Sequence, residues 1–225
     1  MNAMVRRLIA KDLSLLKPAL IGYVVIGLGA VALMAAGTES TFYFGTILLV
    51  TVVMASGIHF VIATTVVERT EQTLPFVMTM PISPRDYTLS KIGGGLLIFL
   101  VPWVTLTIGS LAVLGSGRLG GAGRGLLPLA TLVLVELLAA YCMMLAVAIV
   151  SESMAWTIVF QVLTNLGFQA FLYYVSRIPA IAATSKGPRA VWPPVAISLL
   201  AVELAVVPLA LALTFALQER KRDFL

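Results

Sequence analysis

Long apolar segments separated by short polar ones run through the whole chain. Six of them carry few or no charged residues: 18–36, 42–67, 92–114, 126–150, 154–175 and 195–217. Each is close to the roughly 20 residues that a helix needs to cross the hydrocarbon core of a bilayer. Strands of a membrane barrel would instead show alternating segments of about 10 residues. The pattern therefore predicts an all-α polytopic membrane protein with six transmembrane helices.

The composition excludes the soluble classes of protein. The chain is 60% hydrophobic and 11% charged, with a mean hydropathy of +1.04, whereas a soluble domain is roughly 45–50% apolar and about 25% charged. A single cysteine, Cys142, excludes a disulfide scaffold. The six spans fill most of the 225 residues. We therefore expect one transmembrane domain over 1–225, with no separate soluble domain.

Lysine and arginine predict the orientation of the spans. They are concentrated before the first span, between the second and third spans, and after the sixth. Short loops that carry this excess face the cytoplasm. The distribution predicts a multi-pass protein of a bacterial-type inner (plasma) membrane, with both termini cytoplasmic. We expect membrane lipid around the chain and no nucleic-acid partner.

The segment before the first span has its own pattern. The segment contains four basic residues. Its apolar residues recur at helical spacing: Val5, Leu8, Ile9, Leu13 and Leu16. This pattern is typical of an amphipathic helix lying in the membrane interface. We predict an N-terminal interfacial helix; the alternative is a simple extension of the first span.

The connection 68–91 is the longest polar stretch and predicts two short helices around a break. Thr73 can cap the first, and Pro81 ends it because the residue before a proline avoids the helical region. The apolar side chains that this first helix would expose form a patch of the kind that marks a partner surface: Leu74, Phe76, Val77, Met78 and Met80. A solvated hairpin loop is the alternative interpretation.

The second helix of this connection has clear start signals. Ser83 offers a capping hydroxyl, Pro84 suits the first helical position, and Asp86 faces the positive end of the helix dipole. We predict that this helix runs through Lys91 into the third span.

The loop also carries a series of short motifs in a fixed order. They are an acidic–basic pair, a Thr-Leu step, a Pro-Ile-Ser segment and a lysine that opens the third span: Glu68-Arg69, Thr73-Leu74, Pro81-Ile82-Ser83 and Lys91. This order resembles the permease subunits of ATP-binding-cassette (ABC) exporters of the second type. The six-span architecture and the amphipathic start are similar to that family as well.

The resemblance implies that the loop is a coupling helix that docks on a separate ABC ATPase subunit. It implies that two permease subunits enclose the substrate route, with a homodimer favoured over a heterodimer. ATP and Mg²⁺ would then bind to the partner, and this chain would hold no cofactor and not be an enzyme. The chain indeed contains no G-x-x-x-x-G-K-[ST] phosphate loop. The expected coupling residues are Glu68, Arg69, Glu71, Thr73, Leu74, Pro81, Ile82, Ser83, Pro84, Arg85, Asp86 and Lys91.

Polar side chains inside the spans are candidates for the substrate route. They are His59, Glu136, Gln161, Asn165, Gln169 and Glu203. Ionisable residues within spans usually face the bundle interior, and the glutamates would favour a cationic group. The three amides of the fifth span are spaced by four and share a helix face. The alternative is that these groups only hydrogen bond between helices and fix the packing.

Two further questions stay open at this stage. The connection 176–194 mixes prolines with Trp192 and is either re-entrant or surface-lying.

An ATP-independent secondary transporter or the membrane anchor of a larger complex is the alternative function. A haem-holding anchor would need paired axial ligands, which one histidine and one cysteine do not supply. Secondary transporters often have repeated halves, and none is evident here.

Overall fold

The computed structural model describes residues 3–66, 84–117, 119 and 121–220, and every regular element there is helical. In chain order the elements are α1 (Ala3–Ala35), α2 (Glu39–Val61), a π-helical turn (Ile62–Val66), α3 (Pro84–Gly115), α4 (Gly121–Gly125), α5 (Leu127–Ser151), α6 (Met154–Arg177), α7 (Pro179–Ser185) and α8 (Pro194–Arg220). Six of these helices are long and apolar enough to cross a membrane: α1, α2, α3, α5, α6 and α8. The predicted all-α, multi-pass membrane architecture is confirmed.

The long helices end where the local sequence dictates. Gly37 has a φ of +82°, a left-handed conformation that suits glycine at the end of α1. Thr38 then caps α2, because its hydroxyl oxygen accepts a hydrogen bond from the Thr41 backbone N–H at 3.3 Å. Between α5 and α6, Glu152 takes the left-handed conformation with a φ of +55°. These tight turns make consecutive spans antiparallel neighbours.

The six spans alternate in direction, so the bundle has two distinct ends. Lys91 near the start of α3 contacts Asp12 near the start of α1 and Thr64 in the π-helical turn after α2. Gln218 near the end of α8 contacts Ile149 near the end of α5. We call this end the terminal face, because α1 begins and α8 ends there. The other end is the opposite face.

Helix α5 forms the centre of the bundle. In the apolar stretch of α5 that would cross the membrane, 61% of the residues are buried, against 11% in the same stretch of α6 and 11% in that of α8. It packs against α2, α3, α6 and α8. Since α6 and α8 each bury so little, broad apolar faces of both remain for lipid or for a second membrane subunit.

The N-terminal segment corrects one sequence prediction. Residues 3–35 form a single helix, so no break separates an interfacial helix from the first span. At 1.5 Å per residue its 33 residues extend about 50 Å, well beyond the roughly 30 Å hydrocarbon core. The first turns of α1 pack against α3, where Ile9 lies over Gly93 and Gly94. The segment is therefore an extension of the first spanning helix, which was the alternative interpretation.

Two short helices cover the opposite face. Ile181 of α7 is fully buried against Leu132 and Val175, so the connection 176–194 is partly packed onto the bundle. Gly125 at the end of α4 lies so close to α7 that an added Cβ would stand 2.4 Å from the Thr184 carbonyl oxygen. The two connections on this face therefore hold each other in place.

Candidate functional site

A half-open cavity lies between α2, α3, α5 and α6. It encloses about 410 Å³ of empty space, including its open mouth. Each of the four helices contributes part of its wall: Val53, Met54, Gly57, Ile58, Phe99, Leu137, Ala140, Tyr141, Met144, Gln161, Thr164, Asn165 and Phe168. Most of these side chains are apolar, so the cavity suits a molecule with an apolar body.

An aromatic stack builds one side of the cavity. The rings of Phe99 and Tyr141 lie parallel with their centroids 3.8 Å apart. The Tyr141 hydroxyl donates a hydrogen bond of 2.6 Å to the Gly95 carbonyl oxygen, which fixes the ring between α3 and α5. Gly57 of α2 permits this arrangement, because an added Cβ would lie only 3.1 Å from the Tyr141 ring. The stack gives the cavity a rigid apolar wall.

The polar part of the cavity wall comes from α6. Gln161 and Asn165, two of the predicted residues of the fifth span, line the cavity together with Thr164. The third predicted amide, Gln169, is exposed and does not line it. Pockets that bind small molecules typically combine apolar walls with a few convergent polar groups. Two of the three predicted amides are therefore placed where a bound molecule could meet them.

His59 lies apart from this cavity. It is exposed, and its Nδ1 is 3.1 Å from the hydroxyl of Tyr23 on α1. The two rings meet edge to face, with centroids 5.7 Å apart. This pair joins α1 to α2 on the outside of the bundle. His59 thus has a packing role in the structure and no place in the cavity.

The two predicted glutamates also lie outside the cavity lining. Glu136 of α5 is half-buried, whereas Glu203 of α8 is 6% exposed. The two carboxyl groups are close enough to interact electrostatically. They belong to the contact between α5 and α8, which we call the α5–α8 seam. The structure therefore separates the predicted route residues into four places: the cavity wall, the exposed surface at Gln169, the His59–Tyr23 pair and the α5–α8 seam.

A buried ion pair forms at the terminal face. The Nζ of Lys91 lies 3.2 Å from the Asp12 carboxylate and donates a 2.8 Å hydrogen bond to the Thr64 carbonyl oxygen. The side chains of Lys91 and Asp12 are only 5% and 8% exposed. We call these three groups the Lys91 junction. It joins α1, the π-helical turn and α3 at one point.

The contact of Lys91 with Thr64 falls on an irregular part of the second span. Thr64 lies in the π-helical turn Ile62–Val66, which follows α2. Single π-helical turns are rare and occur often at functional sites. The Lys91 ammonium group therefore binds the backbone of the second span at this irregular turn.

Asp12 was not among the residues that the sequence indicated. The N-terminal segment was interpreted through its basic and apolar residues, and Asp12 is its one acidic residue. A single acidic residue among basic ones makes Asp12 unusual in its segment, but nothing in that segment identifies the cation that it meets. Here that cation is Lys91, one of the predicted coupling residues.

The other predicted coupling residues divide into two groups. Pro84 begins α3, and Asp86 lies in its first turn, so the predicted start of this helix is confirmed. Arg85 is exposed beside them. The remaining predicted residues lie outside the described part of the chain: Glu68, Arg69, Glu71, Thr73, Leu74, Pro81, Ile82 and Ser83.

Among the described residues, no group of three His, Cys, Asp or Glu side chains is placed to hold a metal ion. Cys142 is a free cysteine buried in the core. Comparison with known proteins gives no match to a protein family, to a curated protein or to a solved structure.

Proposed function

We propose that this chain is the membrane-spanning permease subunit of an ATP-driven ABC exporter and that a separate ATPase subunit acts on the connection between α2 and α3. The observation that carries the proposal is the Lys91 junction. The loop motifs from Glu68 to Lys91 resemble the coupling segment of such permeases. The junction ties both roots of that connection, α3 and the π-helical turn, to α1.

This arrangement suits the transmission of a push. A force applied at residues 67–83 reaches α2 through the π-helical turn and reaches α3 through its first turns. Because Lys91 holds both roots together with Asp12, three helices would move as a unit. A single flexible contact would instead dissipate the movement within the loop.

The same helices lead directly to the cavity. Gly57 is seven residues before Thr64 on the second span, and Phe99 is eight residues after Lys91 on α3. At 1.5 Å per residue, both lie about 10–12 Å from the junction along their helices. Movement of these helix ends would therefore change the walls that Gly57 and Phe99 contribute.

The substrate route would form between two copies of the chain. Few residues of helix α6 are buried in the bundle, and Gln169 on this helix is exposed. An amide side chain facing lipid is unfavourable, and a second permease subunit would cover it. We propose a homodimer in a bacterial-type inner membrane, with the terminal face and both termini in the cytoplasm. ATP and Mg²⁺ bind to the partner ATPase, and this chain itself catalyses no reaction.

A charge reversal at the start of α3 tests the coupling. In the complex with its ATPase, the double variant Arg85→Asp/Asp86→Arg should lose substrate-stimulated ATP hydrolysis and transport together. The matched control is Lys186→Glu, which reverses an exposed charge at the opposite face and should change neither activity. Unchanged transport in the double variant, with ATPase activity still stimulated by substrate, would refute the coupling role of this segment.

A further inference from the structure

The α5–α8 seam places two carboxyl groups at the same level. Gln218 contacts Ile149 and Glu152, which precede it by 69 and 66 positions. Glu136 and Glu203 are separated by a number of positions between these two values. Because α5 and α8 both run towards the terminal face, two residues with this separation lie at the same level of the two helices. The two glutamates therefore face each other across parallel helices.

Glu203 lies on the buried stripe of α8. The buried residues of this helix share one face: Ala196, Glu203, Thr214 and Gln218. Both carboxylate oxygens of Glu203 are buried and have no hydrogen-bond partner within the described residues. A carboxylate left in this state lacks both water and donors, which is an unfavourable state for a negative charge. A negative charge at this site would therefore need a positive partner, and the described residues offer its carboxylate no hydrogen-bond donor.

The helices packed against α8 offer no cationic side chain near this level. Neither α5 nor the 92–115 part of α3 contains a lysine, arginine or histidine. The charged residues of α3, Arg85, Asp86 and Lys91, lie in its first two turns at the terminal face. The titratable group that faces Glu203 from α5 is Glu136, which is also acidic. A second carboxylate increases the need for a positive charge.

We infer that the α5–α8 seam is a proton-binding site in which Glu203 carries the proton. The Glu203 carboxyl group is uncharged when it carries the proton, which suits its burial in a packed apolar seam. Release of the proton needs a solvated carboxylate, so it requires water to enter between α5 and α8. Binding of the proton is thereby linked to separation of these two helices. This inference does not depend on the proposed transport function or on an ATPase partner.

An apolar carbodiimide tests the site on the full-length chain in its membrane. Dicyclohexylcarbodiimide reacts with a protonated carboxyl group: the acid proton moves to a carbodiimide nitrogen and the carboxyl oxygen bonds to the central carbon. Rearrangement then leaves a stable adduct that peptide mass spectrometry locates. We expect one adduct per chain, on Glu203, at neutral pH. Glu39 is the internal control, since it is an exposed carboxyl at the start of α2 and should react only with a water-soluble carbodiimide.

Two variants complete the experiment. Glu203→Gln should abolish the adduct and remove the carbonyl-stretch band of a protonated carboxyl group from the infrared spectrum. Glu203→Asp should retain both signals, because the acid group is kept. Absence of the adduct and of the band in the wild-type protein would overturn the inference. Protection of Glu203 by sodium or potassium ions at constant pH would also overturn it, since the site would then hold a metal cation.

Discussion

The Lys91 junction and the α5–α8 seam each bury ionisable groups between helices, but among the described residues only the junction gives its central group a hydrogen-bonding partner. At the junction, the Lys91 ammonium group meets the Asp12 carboxylate and the Thr64 carbonyl oxygen. In the seam, both oxygens of Glu203 lack a hydrogen-bond partner among the described residues. Both sites are more than nine-tenths buried at their central side chain. The central side chains of the two sites are therefore similarly buried, but Lys91 has partners and the carboxylate of Glu203 has none among the described residues.

This difference shows how the same fold uses buried charge in two ways. A paired buried charge fixes geometry, because removing either partner leaves the other unpaired in an apolar environment. A buried acid without a partner does not fix the packing, and whether it is charged depends on whether it holds a proton. The junction is thus suited to hold helices together, while the seam is suited to respond to its surroundings. Substitutions at the two sites should have opposite effects on stability.

The largest effect is expected at the junction. Lys91→Met removes the ammonium group and leaves the Asp12 carboxylate buried without this partner. We expect the free energy of unfolding to fall by about 3 to 5 kcal/mol. Unfolding in mixed detergent micelles measures this change, and Lys91→Arg is the matched variant that keeps the charge.

A double variant separates the pair from simple packing. If the loss comes from a carboxylate that has lost Lys91 and keeps the longer 3.9 Å contact with Lys11, Asp12→Asn combined with Lys91→Met should recover part of the stability that Lys91→Met alone loses. Additive effects of the two single substitutions would show that Asp12 and Lys91 contribute independently, and the junction would then not act as a unit.

A smaller change of opposite sign is expected in the seam. Glu203→Leu replaces buried, unpartnered oxygens with apolar atoms of similar volume. Removing that desolvation penalty should raise the free energy of unfolding by about 1 to 3 kcal/mol. The same detergent titration measures it. A loss as large as that of Lys91→Met would mean that Glu203 has a charged partner, and the contrast between the two sites would disappear.

The smallest change is expected at Gln218, nearer the terminal end of the same seam. Its amide nitrogen donates hydrogen bonds to the Ile149 carbonyl oxygen and to Glu152, whereas its amide oxygen is buried without a partner among the described residues. Gln218→Leu should lower the free energy of unfolding by about 0.6 kcal/mol, the typical value for an interhelical hydrogen bond in a membrane protein. A stability gain like that of Glu203→Leu would show that the whole seam is under-satisfied, rather than the Glu203 position alone.

The spans and the start of α3 could be predicted from the sequence because each depends on local chemistry. Apolar length identifies a spanning helix, since a long segment in lipid satisfies its own backbone groups only as a helix and barrel strands are about half as long. Pro84 and Asp86 determine the start of α3 through their own backbone and charge preferences. The continuity of α1 was not the favoured prediction: the amphipathic pattern indicated a separate interfacial helix before the span 18–36, whereas the first turns of α1 pack against α3, a contact that the local sequence does not show.

The sites were harder to predict because they depend on which helix faces meet. Gln161 and Gln169 share an i, i+4 series, but eight residues at 100° each leave them turned by about 80° from one another. Gln161 thus lines the cavity while Gln169 is exposed. The Asp12–Lys91 pair spans 79 positions, a separation for which no local pattern gives a signal.

The most direct test of the proposed function is to purify this chain from its native membrane in mild detergent and to identify what accompanies it. We predict an ATPase subunit with a phosphate loop that stays bound to the wild-type chain and hydrolyses ATP in response to substrate. The variant Arg85→Asp/Asp86→Arg should retain less of it. A chain that purifies without an ATPase and moves its substrate across sealed vesicles without ATP would contradict the proposal.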